Sequence, residues 1–265
     1  MGDSPIFGAS QLDPAMQAAY ARARETFKYL WRELTWEYRR IVPGLELSAV
    51  KASFNDPGNP EDAAEHMWLS DIQFDGEIVS ASLLNQPRGL RSVSAGDRVE
   101  LSLEAIEDWM YALRGRVYGG FTIQAMRMQM PPAERKAHDR AWGFEFGDPE
   151  VVELVPNWSA KPKKGFFRKA KPEPGDPNAE HPMSVNMAEK LSEEIGKNRE
   201  AFLTSADPDG LTMLHSMALG GSADGVRVLL AAGADRALTT KRGFTALALA
   251  KRMDWPRCVA LLEDA

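Results

Sequence analysis

The stretch DGLTMLHSMALGGSADGVRVLLAAGADRALTTKRGFTALALA, from Asp209 to Ala250, contains the pattern G-x-T-x-L twice. The two copies begin at Gly210 and Gly243, which are 33 residues apart, and Leu229 and Leu262 keep the same spacing. A fixed period of this length marks a supersecondary unit that is repeated and stacked along the chain. The C-terminal part of the sequence therefore predicts a helical repeat module, a kind of structure that binds partners and rarely catalyses.

Each copy carries the local signals of a turn followed by two antiparallel helices. The dipeptides Asp-Gly and Arg-Gly favour tight loops, and Thr212 and Thr245 can cap the helices that follow them. The pattern resembles ankyrin repeats, most specifically in TMLH, which begins at Thr212, and in LLAAGAD, which begins at Leu229. The resemblance implies a protein-binding module with loops at its edge, and the candidate partner-binding residues at these loops are Asp207, Asp209, Lys241 and Arg242.

Two such repeats bury little apolar surface, and about three are expected for a stable module. Residues 184–206 predict a first, degenerate repeat, because Ser184 can cap a helix and apolar residues follow at helical spacing. The repeat module is therefore predicted over residues 183–265, as a short all-α addition to whatever precedes it.

The charge of the chain is unevenly distributed. The 265 residues carry −6 in total, residues 159–182 carry +3 and residues 183–265 carry −1, so residues 1–158 carry −8. An acidic domain repels phosphate backbones. The sequence therefore predicts no nucleic-acid partner.

The stretch KPKKGFFRKAKPEPGDPNAEHP, from Lys161 to Pro182, is rich in proline, glycine and lysine. This composition predicts a basic linker over residues 159–182. Its Phe166-Phe167 pair lies among basic residues and could touch an anionic membrane or an acidic groove; alternatively it packs on a neighbouring domain. The sequence leaves both interpretations open.

Several absences bear on where the protein works. No apolar run approaches the roughly 20 residues of a membrane span, and the N-terminal tail, residues 1–13, lacks the features of a signal peptide. The single cysteine, Cys258, fits a reducing compartment. These observations predict a cytoplasmic protein without stable membrane insertion.

Residues 14–158 predict an α+β domain. Asp13-Pro14 begins a helix whose apolar residues recur at steps of three and four to about Trp36. The segments that follow alternate as strands, with Asp75-Gly76 predicting a two-residue hairpin that sets Phe74 opposite Glu77. A second hairpin is predicted to join DWMYAL to a strand RVYGGFTIQAM, and a short helix is predicted in PPAERKAHDRAWGF. The expected fold is an antiparallel sheet of about five strands with the long N-terminal helix packed on it.

Six blocks in this region occur together and in order: FKYLWREL, RRIVPGLELSAVKASF, EHMWLSDIQFDG, GDRVELSLEAIEDWMY, YGGFT and AWGFEFGDP. Together they resemble the bacterial YegJ-like domain of unknown function, over about residues 15–158. The resemblance implies a small α+β domain in a bacterial cytoplasmic protein, with no established activity. It also implies a neighbourhood of toxin–antitoxin or secretion-immunity systems for some relatives.

The sequence offers no catalytic constellation. It has no nucleotide-binding glycine loop and no metal-ligand spacing among its four histidines. His215 is interpreted as part of a repeat turn, hydrogen-bonded to local backbone. No catalytic residue, metal or cofactor is therefore predicted.

An alternative is a pocket between the helix and the sheet of the first domain. Asp108 lies beside Trp109, and a carboxyl buried among indole rings could act as an acid; alternatively, Asp108 hydrogen-bonds backbone at a turn. The tryptophans form either the core or the wall of a pocket, where Gly119-Gly120 would let a ligand approach. The candidate pocket residues are Arg39, Arg40, Trp68, Asp108, Trp109 and Tyr118.

Two function classes follow. The first is a non-enzymatic protein–protein interaction protein, in a sharper version an immunity or inhibitor protein that occludes a basic toxin or effector. The second is a small-molecule-binding protein or enzyme that uses the pocket of the first domain.

Overall fold

The computed structural model describes residues 13–60, 64–159 and 173–264. The chain divides into two compact units, the first with Met1–Leu30 and Arg40–Pro177 and the second with Trp31–Arg39 and Asn178–Ala265. Of the predicted tail, residues 1–13, only Asp13 is described, and residues 160–172 of the predicted linker, residues 159–182, also lie outside the described residues. The sequence-based boundaries at residues 14–158 and 183–265 stay predictions.

The predicted N-terminal helix is present as α1, Pro14–Glu37. The Asp13 carboxylate caps it by accepting a hydrogen bond from the Ala15 amide at 2.9 Å. Within the first unit its apolar stripe packs on the sheet, where Phe27 meets Phe74 edge-on with ring centroids 5.3 Å apart. The Trp109 indole of the strand Ile106–Leu113 also donates to the Ala23 carbonyl at 3.0 Å, which fixes the helix to that strand.

The sheet of the first unit is antiparallel, and the described residues supply six strands in the spatial order β4-β3-β2-β1-β5-β6. The α+β class predicted from the sequence is confirmed. The strands are β1 Leu47–Phe54, β2 Glu65–Phe74, β3 Ile78–Leu83, β4 Arg98–Ser102, β5 Ile106–Leu113 and β6 Arg116–Gly119.

The hairpin between β2 and β3 forms, but the predicted register is wrong. Phe74 pairs with Val79, not with Glu77. The Asp75 carboxylate accepts hydrogen bonds from the amides of Glu77 (2.9 Å) and Ile78 (2.8 Å), which lengthens the loop. A bulge between Ser70 and Gln73 then shifts the remaining pairs back by one residue, so that Ser70 pairs with Ser82 and Leu69 with Leu83.

The second predicted hairpin is also only partly right. Strands β5 and β6 pair as expected, but β6 stops at Gly119, and the segment FTIQAM is not strand but the start of α2, Phe121–Gln129. The strand ends because Gly119 and Gly120 have φ of +77° and +73°, and the helix begins there because the Asp108 carboxylate accepts the amides of Phe121 and Thr122. Helix α2 then covers the second face of the sheet, while the predicted short helix is confirmed as α3, Pro132–Trp142.

The second unit is helical, with α4 Pro182–Lys197, α5 Arg199–Thr204, α6 Met213–Leu219, α7 Ala223–Ala231, α8 Ala246–Arg252 and α9 Pro256–Glu263. Helices α6 and α7 form one pair and α8 and α9 the next, and α4 packs on α7. The predicted cap at Ser184 is wrong, because the His181 ring caps α4 by accepting from the Met183 amide at 3.1 Å. Ser184 lies instead in the helix, and its hydroxyl is 2.6 Å from that of Ser222.

Candidate protein-binding surface

The four predicted partner-binding residues lie on two neighbouring loops. Asp207 and Asp209 belong to the loop before α6, Lys241 and Arg242 belong to the loop before α8, and all four are exposed. The two loops are joined by a backbone hydrogen bond from the Lys241 amide to the Asp209 carbonyl at 2.9 Å. We call these four residues the loop surface.

Each loop is shaped by its own residues. The Asp207 carboxylate accepts hydrogen bonds from the amides of Asp209 (3.0 Å) and Leu211 (2.8 Å), which closes the first loop. Gly210 has φ of +82°, and a Cβ at this position would lie 2.9 Å from the Lys241 amide nitrogen. A glycine is therefore required here by the backbone and by the close approach of the second loop.

The base of the first loop is held by the TMLH sequence. The Thr212 amide donates to His215 Nδ1 at 3.2 Å, and His215 Nε2 then donates to the Leu238 carbonyl at 3.0 Å. The predicted hydrogen bond of His215 to local backbone is confirmed at Thr212, and the bond to Leu238, 23 residues away, is an addition that the sequence did not predict. Burial is the main cause that lowers the pKa of His215 below its ordinary 6.5, against the opposing effect of its hydrogen bond to Leu238.

This arrangement predicts a pH dependence. We expect the free energy of unfolding of the second unit to fall as the pH drops below 6.5, because the unfolded chain takes up a proton that folded His215 resists. The loss should not exceed about 1.4 kcal/mol per pH unit. Urea unfolding of the wild type and of His215→Gln at several pH values measures it. Parallel pH profiles for the two proteins would contradict this expectation.

The second unit contains a helix segment that the repeat pattern did not predict. Trp36 of α1 is 1% exposed and stacks on the His181 ring at a centroid distance of 5.8 Å. His181 Nε2 donates to the buried Glu33 carboxylate at 3.2 Å, since its Nδ1 already accepts from the Met183 amide. The start of α4 is thus fixed to the second half of α1.

The same segment packs on the first repeat. A Cβ at Gly220, at the end of α6, would lie 2.8 Å from the Thr35 methyl group, so the two backbones approach closely. The Arg32 guanidinium lies 5.4 Å from the centre of the Trp255 ring. One side of the repeat helices is therefore covered by the chain's own residues, while the loop surface stays exposed. The sequence feature that indicates this second contact is that α1 is apolar on more than one side near Trp31 and Leu34, as in a helix buried on more than one side.

The predicted pocket residues do not form one site. Arg39 belongs to the second unit and lines a groove there together with Asp207. In the first unit Trp109 is fully buried, and a Cβ at Gly119 would lie 2.5 Å from its ring, so the protein's own indole occupies the space beside that glycine. Tyr118 is buried and stacks on Tyr111 at 5.0 Å.

Asp108 is fully buried and acts on the backbone. Its carboxylate accepts hydrogen bonds from the amides of Trp109 (2.8 Å), Phe121 (2.9 Å) and Thr122 (2.8 Å), and from the Thr122 hydroxyl (2.6 Å). Burial raises its pKa to about 6, while these hydrogen bonds and the charge of Lys51 act in the opposite direction.

Lys51 was not predicted as a site residue from the sequence. It lies on β1 opposite Asp108, and its amine is 5.9 Å from the centre of the half-buried Trp68 ring. Arg40, also half-buried, precedes the strand on the loop after α1.

Comparison with known proteins now identifies the family. The family described as "Uncharacterized protein conserved in bacteria (DUF2314)" matches residues 13–146. The chain belongs to this family. A Neisseria meningitidis serogroup B protein named as an ankyrin repeat protein is 42% identical over 263 residues, which cover 99% of this chain and 98% of the relative. The Escherichia coli K12 protein YegJ is 33% identical over 86 residues, which cover 32% of this chain and 54% of that protein. Both resemblances drawn from the sequence are confirmed.

Two kinds of feature are absent from the described part of the chain. None of its helices is both long enough and apolar enough to cross a bilayer. Nor does this part of the chain contain a group of three histidine, cysteine or acidic side chains placed to hold a metal ion.

Proposed function

We propose that this protein binds another protein through its loop surface, and that this binding, not catalysis, is its function. The observation that carries the proposal is the pair of exposed loops joined by the bond between Lys241 and Asp209 on stacked helix pairs. Loops presented on a rigid scaffold are the usual place for recognition residues. The full-length similarity to a protein named as an ankyrin repeat protein supports the same function class.

In its sharper form, the proposal is a cytoplasmic immunity or inhibitor protein that occludes a basic toxin or effector. Residues 1–158 carry −8, which favours encounter with a basic partner. The first unit also has a cavity of about 790 Å³ with more acidic than basic groups in its wall. Its charged lining residues are Arg116, Arg135, Asp139, Glu145, Asp148, Glu153 and Glu173.

The alternative, a small-molecule-binding protein or enzyme with a pocket between α1 and the sheet, has less support. The Trp109 ring fills the space at Gly119, and both oxygens of Asp108 already accept hydrogen bonds from the protein. A general acid or base must reach a substrate atom, and the fully buried Asp108 carboxylate has no exposed oxygen with which to do so.

A charge-reversal variant tests the proposed surface. We expect Asp209→Lys combined with Lys241→Glu and Arg242→Glu to weaken capture of a specific protein partner by at least about tenfold, because each reversed charge repels the partner group that the wild-type residue attracts and about 1.4 kcal/mol is enough for that loss. The full-length protein serves as bait in lysate of the source bacterium, with cross-linking and mass spectrometry as the readout.

The matched control reverses exposed charges on α4, Lys190→Glu with Glu193→Lys. Equal capture of the same partner by the loop variant and by the control would overturn the loop surface as the binding site. The immunity role requires, in addition, that the partner be basic and toxic when expressed alone, and that its association rate fall as salt rises. An acidic or harmless partner would contradict it.

A further inference from the structure

A groove of about 440 Å³ lies in the second unit, directly beside the first loop. It is continuous with the loop surface, because Asp207 belongs to both. Its lining includes Arg39, Phe202, Asp207, Leu211, Met213 and Ser216. Ser205 and Ala206 complete the lining, so the groove combines one guanidinium, one carboxylate, two hydroxyls and four apolar side chains.

The guanidinium of Arg39 has lost much of its water without gaining a carboxylate. It donates to the Thr35 carbonyl at 2.6 Å and lies 3.9 Å from the Met213 sulfur. No carboxylate of the described residues lies within ion-pair distance of it, and burial lowers its pKa. A desolvated charge without a counter-charge is unfavourable, and a carboxylate from outside the chain would relieve it with short charge-assisted hydrogen bonds.

The rest of the groove limits what can accompany that carboxylate. Phe202, Leu211 and Met213 offer apolar surface, which favours an apolar side chain next to the acidic one. Asp207 uses one carboxylate oxygen to close its own loop, and its negative charge disfavours a second acidic group. The groove thus suits a single carboxylate at the Arg39 side.

We propose that this groove binds an acidic side chain of a partner polypeptide, with its carboxylate on Arg39 and a neighbouring apolar side chain on Phe202, Leu211 and Met213. This inference rests on the proposed protein-binding function and names the chemistry of one contact. A polypeptide is favoured over a free small molecule because the groove continues into the loop surface, so that one bound chain reaches both. One acidic side chain at this point is compatible with a partner that is basic overall.

The experiment compares two peptides on the full-length protein, N-acetyl-Leu-Asp-Leu-amide and its Asn counterpart. The readouts are the NMR signals of the Arg39 Nε–H group and of the Met213 methyl group during titration to about 10 mM, a range that detects weak binding. We expect the Asp peptide to bind at least about tenfold more tightly than the Asn peptide. Arg39→Met should abolish this difference, and Lys190→Met, at an exposed position of α4, should preserve it.

Several outcomes would overturn the inference. One is equal affinity for the two peptides, and another is the lack of a saturable shift at either reporter. A third is binding of acetate with the same affinity as the Asp peptide, which would indicate a general anion site. If Arg39→Met does not fold, the peptide pair on the wild type still decides the question. If the peptide does not bind but partner capture is intact, only the proposed carboxylate site in the groove is refuted. Peptide binding without any partner dependent on the loop surface would refute the proposed function alone.

Discussion

Replacing Trp36 by alanine is expected to lower the free energy of unfolding of the second unit by about 3–5 kcal/mol. The indole is 1% exposed and stacks on His181, so its removal leaves a cavity at the start of α4. The loss should extend to the first repeat, since Thr35 of the same segment packs against Gly220. Urea unfolding gives the magnitude, and hydrogen exchange of the amides in α4 and α6 assigns the loss to this unit.

Two further variants make the Trp36 result interpretable. Trp36→Phe keeps an aromatic ring and removes an indole nitrogen that has no hydrogen-bond partner among the described residues, so it should cost less than about 1.5 kcal/mol. Trp142→Ala removes an indole of the first unit that is 37% exposed, and it should cost about 1 kcal/mol. Unchanged protection of α6 in Trp36→Ala would show that the segment Trp31–Arg39 does not support the repeats.

Features encoded by neighbouring residues were predictable from the sequence. Asp13-Pro14 places a capping carboxylate and a proline at the start of α1, and the helix begins at Pro14. The 33-residue period fixes two helix pairs and the loops between them, because each repeat uses the same turn residues. Thr245 caps α8 through the Ala248 amide at 3.1 Å, as its spacing from Thr212 predicts.

Features that depend on distant residues were not predictable in the same way. The segment after Gly120 reads as strand by alternation, yet it is helical because Asp108, 13 residues away from Phe121, accepts its first amides. Similarly, nothing in the repeat pattern places Trp36 beside His181, since about 145 residues separate them and only tertiary packing decides. The candidate loop surface was therefore accessible to sequence reasoning, whereas the groove at Arg39 was not.

The second large effect is expected for Asp108→Ala, which should destabilise the first unit by about 3–5 kcal/mol. The substitution leaves the amides of Trp109, Phe121 and Thr122 and one hydroxyl without their acceptor in a fully buried place. Each unsatisfied buried donor costs about 1–3 kcal/mol before relaxation, and the charge of Lys51 loses its partner as well. Thermal or urea unfolding followed by hydrogen exchange in α2 measures the change.

The pattern across three variants distinguishes a capping role from simple loss of a surface charge. Asp108→Asn retains one acceptor oxygen but turns an NH₂ group towards the remaining donors, so its loss should lie between those of the wild type and of Asp108→Ala. Asp97→Ala removes an exposed carboxylate that accepts one amide hydrogen bond, from Ser94 at 2.8 Å, and should cost about 1 kcal/mol or less. If Asp108→Ala were no more harmful than Asp97→Ala, the carboxylate would not be what starts α2. Asp108 would then be free to serve the pocket that the sequence offered as the alternative.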